Sequence, residues 1–107
     1  MGQGTVSTTA RVLLRAIGPS LTVSDALPDP TLELYDHNGA LLASNDNWKT
    51  RPDGTSQQAE IEATGLAPTN GLESALIGNL IPGNYTAIVR GTRNTHGVSL
   101  VEGYYLP

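Results

Sequence analysis

The sequence predicts an all-β fold, a jelly-roll-like antiparallel β-sandwich of about seven to eight short strands with at most one short helix. Short apolar runs alternate with polar residues and recur at near-regular spacing along the 107 residues. Turn residues are frequent, since the chain contains 12 Gly and 7 Pro. The core must be largely aliphatic, because the chain has no Phe and a single Trp.

The chain length fits one domain. We expect residues 10–107 to form a single β-sandwich domain, and residues 1–9, rich in Gly, Ser and Thr, to form an N-terminal tail or an edge strand. Arg11 and Arg15 lie in the first clear strand, and we interpret them as edge-strand charges that prevent edge-to-edge pairing with another sheet. A strand over residues 5–17 without an upstream neighbour would pair with another copy of the chain.

The stretch from residue 31 to residue 48 predicts two short strands joined by Asp-His-Asn-Gly. Asn38 and Gly39 can take the positive φ that short hairpin loops need. Residues 57–63 have a helix-forming composition and predict one or two helical turns. Gly103 predicts a bulge in the last strand. Three later strands are predicted over residues 72–80, 85–90 and 98–106.

Charge and composition exclude several classes of partner. A net charge of −4 with scattered basic residues argues against nucleic acid, whose binding needs clustered Lys and Arg. No run approaches the roughly 20 apolar residues of a membrane-spanning helix, so membrane insertion is not expected. The absence of Cys excludes disulfides and thiolate metal sites.

The residues that could carry catalysis do not form a known motif. There is no Gly-x-Ser-x-Gly, and His37 and His96 lie in turn-like segments typical of solvated side chains. General acid–base chemistry would need two carboxylates to converge, and the sequence shows no such pair. We expect the glutamates to be solvating surface residues and predict that the chain is not an enzyme. These glutamates are Glu60, Glu62, Glu73 and Glu102.

A cation site is the sharpest chemical hypothesis. Asn45, Asp46 and Asn47, with Asp36 in the preceding turn, supply the oxygen ligands that Ca²⁺ prefers. Consecutive residues rarely all bind one ion, however, and no Asp-x-Asp-x-Asp-Gly spacing is present. The alternative is a turn in which Asp46 and its neighbours accept backbone N–H groups. Calcium is therefore the candidate ion, and no cofactor is required.

Trp48 also has two interpretations. An exposed indole could stack on a sugar, with residues 45–58 as the rest of the binding face. A buried indole would instead close one end of a core between two sheets that has no Phe to fill it. Tyr104 and Tyr105 are expected to divide in a similar way, with one ring facing inward and the other outward.

Five segments carry a family resemblance, in this order along residues 10–107: RVLLRAIGPSL, DPTLELYDHNGALLASNDNW, AEIEATGLAPTNGLESALI, PGNYTAIVRG and GVSLVEGYYL. Together they resemble an accessory β-sandwich domain that recurs in large secreted proteins of soil and aquatic bacteria. The layout is also similar to the pre-peptidase C-terminal domain. The resemblance implies a noncatalytic extracellular module, secreted or held at the bacterial cell surface.

We therefore expect a module for adhesion, spacing or self-association within a larger secreted or surface protein, stabilised by calcium if the cation interpretation holds. Its partners would be other domains or copies of the same domain. The alternative function is a carbohydrate- or protein-binding module that uses Trp48 and the 45–58 loop, with a polysaccharide or a protein as its partner.

Overall fold

The computed structural model describes residues 9–107, in which six strands, one α-helix and a three-residue 3₁₀ turn (Thr92–Asn94) form the regular structure. The strands are β1 (Ala10–Ile17), β2 (Pro30–Tyr35), β3 (Leu41–Asn45), β4 (Ser74–Leu80), β5 (Thr86–Gly91) and β6 (Leu100–Tyr105). Helix α1 spans Gln58–Glu62.

The strands form two three-stranded antiparallel sheets, with the orders β4-β1-β6 and β3-β2-β5. The prediction of a mostly β fold with at most one short helix is confirmed for the described residues. The predicted count of seven to eight strands is wrong there, since the structure has six. Two further pairings are single bridges, Ala26 with Val98 and Thr50 with Ser56, and they are too short to be strands.

Strand β1 is the central strand of its sheet, with β4 on one side and β6 on the other. The prediction of an edge strand is therefore wrong for residues 10–17, and Arg11 and Arg15 do not guard an edge. Arg15 instead bonds to the neighbouring strand, where its Nε donates to Glu102 at 2.8 Å. Residues 1–8, predicted as part of a tail or an edge strand, lie outside the described residues.

The β2–β3 hairpin forms where it was predicted, but of its two turn residues only Gly39, and not Asn38, has a positive φ. Asp36 Oδ1 accepts hydrogen bonds from the backbone N–H groups of Asn38 and Ala40, each at 2.9 Å. Gly39 has a φ of 81°, which a residue without Cβ adopts at little cost. The pairing shifts between Leu34 and Tyr35, which marks an irregularity in this hairpin.

The bulge predicted at Gly103 is absent from β6. Its pairing with β1 is continuous from Val12 opposite Tyr105 to Ile17 opposite Leu100. Simple strand alternation therefore sends Tyr104 and Tyr105 to opposite faces. Tyr104 is half-buried and Tyr105 is 85% exposed, so the expectation of one inward and one outward ring is confirmed.

The closely packed core lies on one face of the β4-β1-β6 sheet. Leu13 and Ala75 from this sheet pack with Trp48 and with Ile61 of α1, and all four side chains are buried. The half-buried side chains packed around them are Leu66, Ala67, Ile77, Tyr104 and Leu106. Helix α1 and the chain that flanks it thus cover this face of the sheet.

The opposite face of the same sheet is turned towards the second sheet. Val12 and Leu14 alternate with Leu13, so they point away from Trp48, and they line an apolar groove together with Leu34 of β2. The groove has two parts, of about 280 Å³ beside β3 and β4 and about 320 Å³ beside β5 and β6. The space between the two sheets is therefore incompletely filled.

Helix α1 agrees with the helical turns predicted over residues 57–63. Ile61 is its buried residue, and the Thr64 hydroxyl donates to the Ile61 carbonyl at 2.6 Å just beyond the helix. Gly65 follows with a φ of 75°. No helix within residues 9–107 has the length and apolar character needed to cross a membrane.

Candidate functional site

The structure does not bring the four predicted calcium ligands together. Asp36 follows the end of β2 in the hairpin turn, whereas Asp46 follows the end of β3. The register places Tyr35 opposite Leu41 at one end of the hairpin and Leu32 opposite Asn45 at the other. Asp36 and Asp46 therefore lie at opposite ends of the sheet, and no single ion can bind both.

Asn45 is occupied by backbone hydrogen bonds. Its Oδ1 accepts from the Ala75 N–H at 3.0 Å, and its Nδ2 donates to the Thr50 carbonyl at 2.9 Å. The side chain is buried and joins the end of β3 to the start of β4. The bond from the Ala75 N–H to Asn45 agrees with the alternative interpretation, in which Asp46 and its neighbours accept backbone N–H groups. Asp36, which that interpretation did not include, accepts backbone N–H groups in the hairpin turn.

Asp46 lies next to a carboxyl group that the sequence did not indicate. Asp29 directly precedes β2, and its side chain reaches that of Asp46 at the same end of the β3-β2-β5 sheet. Partial burial raises the pKa of Asp46 above its usual value, and the neighbouring Asp29 carboxyl raises it further. The backbone of Asp29 is anchored, because its carbonyl accepts from the Thr92 N–H at 3.1 Å.

The Asp29 side chain also has an unpaired atom. Its Oδ1 is buried and has no hydrogen-bond partner among the described residues. Buried carboxylate oxygens are normally paired, since an unpaired one loses its hydration without compensation. Asp29 and Asp46 together are therefore the electrostatically unusual pair at this end of the sheet.

A polar cleft of about 430 Å³ lies beside Asp46. The strands β2 and β3 and the chain after β3 contribute its walls, and Asn47 lies on its rim with an exposed side chain. The polar and charged residues that line it are Thr31, Glu33, Ser44, Asn45, Asp46, Asn47, Thr50 and Arg51. Solvent and small ions can therefore reach Asp46 from this side.

Trp48 lies in the core and not on a binding surface. Only 4% of the residue is exposed, which leaves no ring face for stacking on a sugar. Lys49 Nζ lies 5.7 Å from the centre of the indole ring. The indole packs beneath α1, on the sheet face remote from the second sheet, so it does not close the space between the two sheets as predicted.

The glutamates proposed as solvating surface residues divide into different roles. Glu73 is completely buried, which makes the surface prediction wrong for this residue. Its Oε2 accepts from the N–H groups of Gly18 and Ser20 at 2.9 and 3.0 Å and from the Ser20 hydroxyl at 2.6 Å. Glu102 is half-buried against Arg15, whereas the exposed Glu60 bonds to Arg11 and Arg51.

Within residues 9–107, no group of three His, Cys, Asp or Glu side chains is placed to hold a metal ion. Any cation at Asp29 and Asp46 would therefore take its remaining ligands from other oxygen atoms, such as backbone carbonyls and water.

Strand β6 presents a second unusual surface. It pairs with β1 along one edge, and no strand of the described chain pairs with its other edge. Leu100 and Val101 point to opposite faces and are 46% and 42% exposed. Val98 and Tyr105, just before and at the end of the strand, are also exposed.

Comparison with models of known families, with curated proteins and with solved structures finds no match to this chain.

Asp29 is the residue that sequence reasoning missed. The signal was an aspartate immediately before one strand of a hairpin and another immediately after its partner strand. Antiparallel pairing brings two such positions to the same end of a sheet. The prediction grouped Asp46 with its sequence neighbours instead, and those side chains point elsewhere or bond to the backbone.

Proposed function

We propose that this chain is a noncatalytic accessory module that associates with copies of itself within a larger secreted or surface protein. The observation that supports this proposal is the apolar, unpaired edge of β6. An edge strand presents a row of free N–H and C=O groups, onto which a strand of another molecule can add.

The usual protection of an edge strand is weak in β6. Natural edge strands carry free charges, prolines or bulges that prevent pairing. The one charged residue of β6 is Glu102, and its carboxylate is engaged by Arg15 in a 2.8 Å ion pair. Strand β6 contains no proline, and its pairing with β1 is regular along the whole strand.

This proposal moves the self-association surface from the N-terminal strand, where the sequence placed it, to β6. The other predicted function, a carbohydrate-binding module, relied on an exposed Trp48 ring and gains no support from a buried indole. Adhesion and spacing within the larger protein would follow from the same strand-to-strand contact.

Light scattering over a series of protein concentrations tests the proposal. We expect the apparent mass of the wild type to rise with concentration, and Val101→Lys to remain monomeric because it places a charge on the β6 edge. Leu41→Lys is the matched control, since Leu41 is also an exposed aliphatic residue, at the edge strand β3. A wild type that stays monomeric throughout, or a Val101→Lys variant that associates like the wild type, would contradict it.

A further inference from the structure

The free edge of β6 offers the backbone groups of every second residue to a partner. The Leu106 N–H donates to the Arg11 carbonyl at 2.8 Å, so Leu106 belongs to the set of residues that bond to β1. In an antiparallel pair this set alternates with residues whose N–H and C=O groups point the other way, and the register of β6 on β1 is unbroken. The backbone groups of Val101, Gly103 and Tyr105 therefore point to the edge that is unpaired within residues 9–107.

The side chains of these outward-pointing residues lie on the groove face of the sheet. Gly103 is paired with Leu14 and Tyr105 with Val12, and both of these β1 residues line the apolar groove. Tyr105 is 85% exposed, whereas Gly103 has no side chain to cover the part of the groove beside it. The edge of β6 thus presents a large exposed ring two residues away from a gap in the apolar surface.

We propose that the partner of β6 is β6 of a second copy of this chain, paired antiparallel about a two-fold axis at Gly103. This inference rests on the proposed function, self-association through β6, and it names the partner strand and the register. Gly103 lies opposite Gly103 of the second copy, and Val101 lies opposite Tyr105 of the second copy. All the outward-pointing residues of both strands are then hydrogen-bonded.

Charge and proline placement favour this register over its neighbours. An axis at Glu102 would place the two Glu102 carboxylates directly opposite each other, and like charges so placed destabilise a sheet. An axis at Tyr104 would place Val101 opposite Pro107, which has no N–H to donate. With the axis at Gly103, each Glu102 faces Tyr104 of the second copy, and within one chain the Tyr104 hydroxyl already donates to Glu102 at 3.1 Å.

The exposed Tyr105 ring gains an apolar contact in this arrangement. Diagonal neighbours across two antiparallel strands lie within reach of an aromatic side chain. The diagonal neighbour of Tyr105 is Gly103 of the second copy, where the absence of a side chain lets the ring lie against Leu14 and the groove. Because the axis is two-fold, both copies make the same contact.

A strand of six residues and two rings form a small interface. Two tyrosine side chains bury about 300–500 Å² when they are fully covered, and stable complexes bury roughly 1,200 Å² or more in total. We therefore expect a dimer whose population depends on protein concentration. The association stops at two copies, because the contact occupies the β6 edge of both.

Disulfide trapping tests the register, and the absence of Cys from the chain makes the result specific. Val101→Cys and Tyr105→Cys are prepared as separate variants of the whole chain and are oxidised alone and as an equal mixture. Hydrogen-bonded opposite residues have Cα atoms about 5.5 Å apart, a separation that a disulfide spans. The mixture should give at least about tenfold more disulfide-linked dimer than either variant alone, because each variant alone places its thiol opposite a residue without one.

A mixture of Val101→Cys with Leu41→Cys is the matched control and should give only background cross-linking, since Leu41 lies at an edge of the other sheet. Tyr105→Ser should weaken association in light scattering at least about fivefold, because both reciprocal ring contacts are lost. Ile81→Ser, which replaces an exposed apolar residue outside β6, should leave association unchanged.

The outcomes separate this inference from the proposed function. Association that persists without preferential cross-linking in the Val101→Cys and Tyr105→Cys mixture, or that passes the mass of a dimer, overturns the two-fold pairing at Gly103 and leaves self-association standing. Association that Tyr105→Ser does not weaken overturns the reciprocal ring contact. A wild type that stays monomeric at every concentration overturns both the proposed function and this inference.

Discussion

The two faces of the β4-β1-β6 sheet are both apolar, but they are packed differently. On one face, Trp48 and Ile61 press onto Leu13 and Ala75 and leave these side chains buried. On the other face, Val12 and its neighbours border a groove that the second sheet does not fill. A sheet can therefore be fully covered on one side by irregular chain and only loosely covered on the other by regular strands.

Hydrogen bonds explain much of this difference. On the covered face, Gln57 Nε2 donates to the carbonyls of Trp48 and Ala75 at 2.8 and 3.1 Å. The Trp48 N–H in turn donates to the Glu73 carbonyl at 2.8 Å. These bonds fix the connecting chain against the sheet. The groove face depends on contacts between aliphatic side chains, which are non-directional and tolerate gaps.

Truncating side chains tests the difference between the packed face and the groove, because the free energy of unfolding should fall much more on the packed face. Trp48→Ala should lower the free energy of unfolding by about 3–5 kcal/mol, because it removes the largest buried side chain of the packed core. Leu42→Ala, at an exposed position beside the groove, should cost no more than about 0.5 kcal/mol. Urea denaturation measures both, and equal losses would refute the distinction between a packed and an open face.

Adding a methyl group on the groove face tests the same difference in packing. Gly78 pairs with Val12 and shares its face, and a Cβ at this position would meet no atom within 4 Å. Gly78→Ala should therefore stabilise the protein by about 0.5–1 kcal/mol, since alanine loses less backbone entropy on folding.

Gly103→Ala is the matched variant, because a Cβ there would meet Leu14 Cδ2 at 3.0 Å and the gain in backbone entropy would be offset. Thermal unfolding should place Gly78→Ala above the wild type and Gly103→Ala at or below it. A loss of stability in Gly78→Ala would show that the groove is closed in solution.

The smallest effect is expected on the outer surface of the second sheet. Glu33 accepts hydrogen bonds from Arg90 Nε at 3.1 Å and from the Tyr35 hydroxyl at 2.9 Å, and these bonds hold its pKa below the usual 4.5. Because the pKa of Glu33 is lower in the folded state, its ionised carboxylate stabilises the fold at pH values above its pKa in the unfolded chain. This stabilisation is lost as the pH falls through the pKa of the folded state.

Arg90→Gln should thus raise the pKa of Glu33 towards 4.5, as measured by NMR titration of its carboxyl carbon. The difference in melting temperature between this variant and the wild type should be small at neutral pH. It should shrink as the pH falls from 4.5 through the lowered pKa of Glu33 in the wild type, because Glu33 is then protonated in both proteins. An unchanged pKa in Arg90→Gln would contradict the ion pair.

Local sequence patterns predicted the positions of the strands and the helix well. Alternating residues located β1, β4, β5 and β6 to within two residues at each end. The hairpin turn was predicted from Asn38 and Gly39, and of these two residues only Gly39 adopts the positive φ. These features depend on neighbours in the chain.

The arrangement of strands within the sheets could not be predicted in the same way. The pairing of β1 with β4 and β6 joins residues far apart in the sequence, and such pairing leaves no local signal. The consecutive apolar residues Val12, Leu13 and Leu14 are typical of a strand that is covered on both faces, but the prediction took this strand as an edge strand. The candidate site shows the same limit, because Asp29 and Asp46 come to the same end of the sheet only when β2 pairs with β3.

The central position of β1 has a consequence for how the chain folds during synthesis. Strand β1 leaves the ribosome first among the described strands, but both of its partners follow much later, and β6 is the last of these strands. Contacts with such long sequence separation slow folding. The β2–β3 hairpin can close early, whereas a nascent chain ending before Leu100 would leave one side of β1 exposed to chaperones and to aggregation.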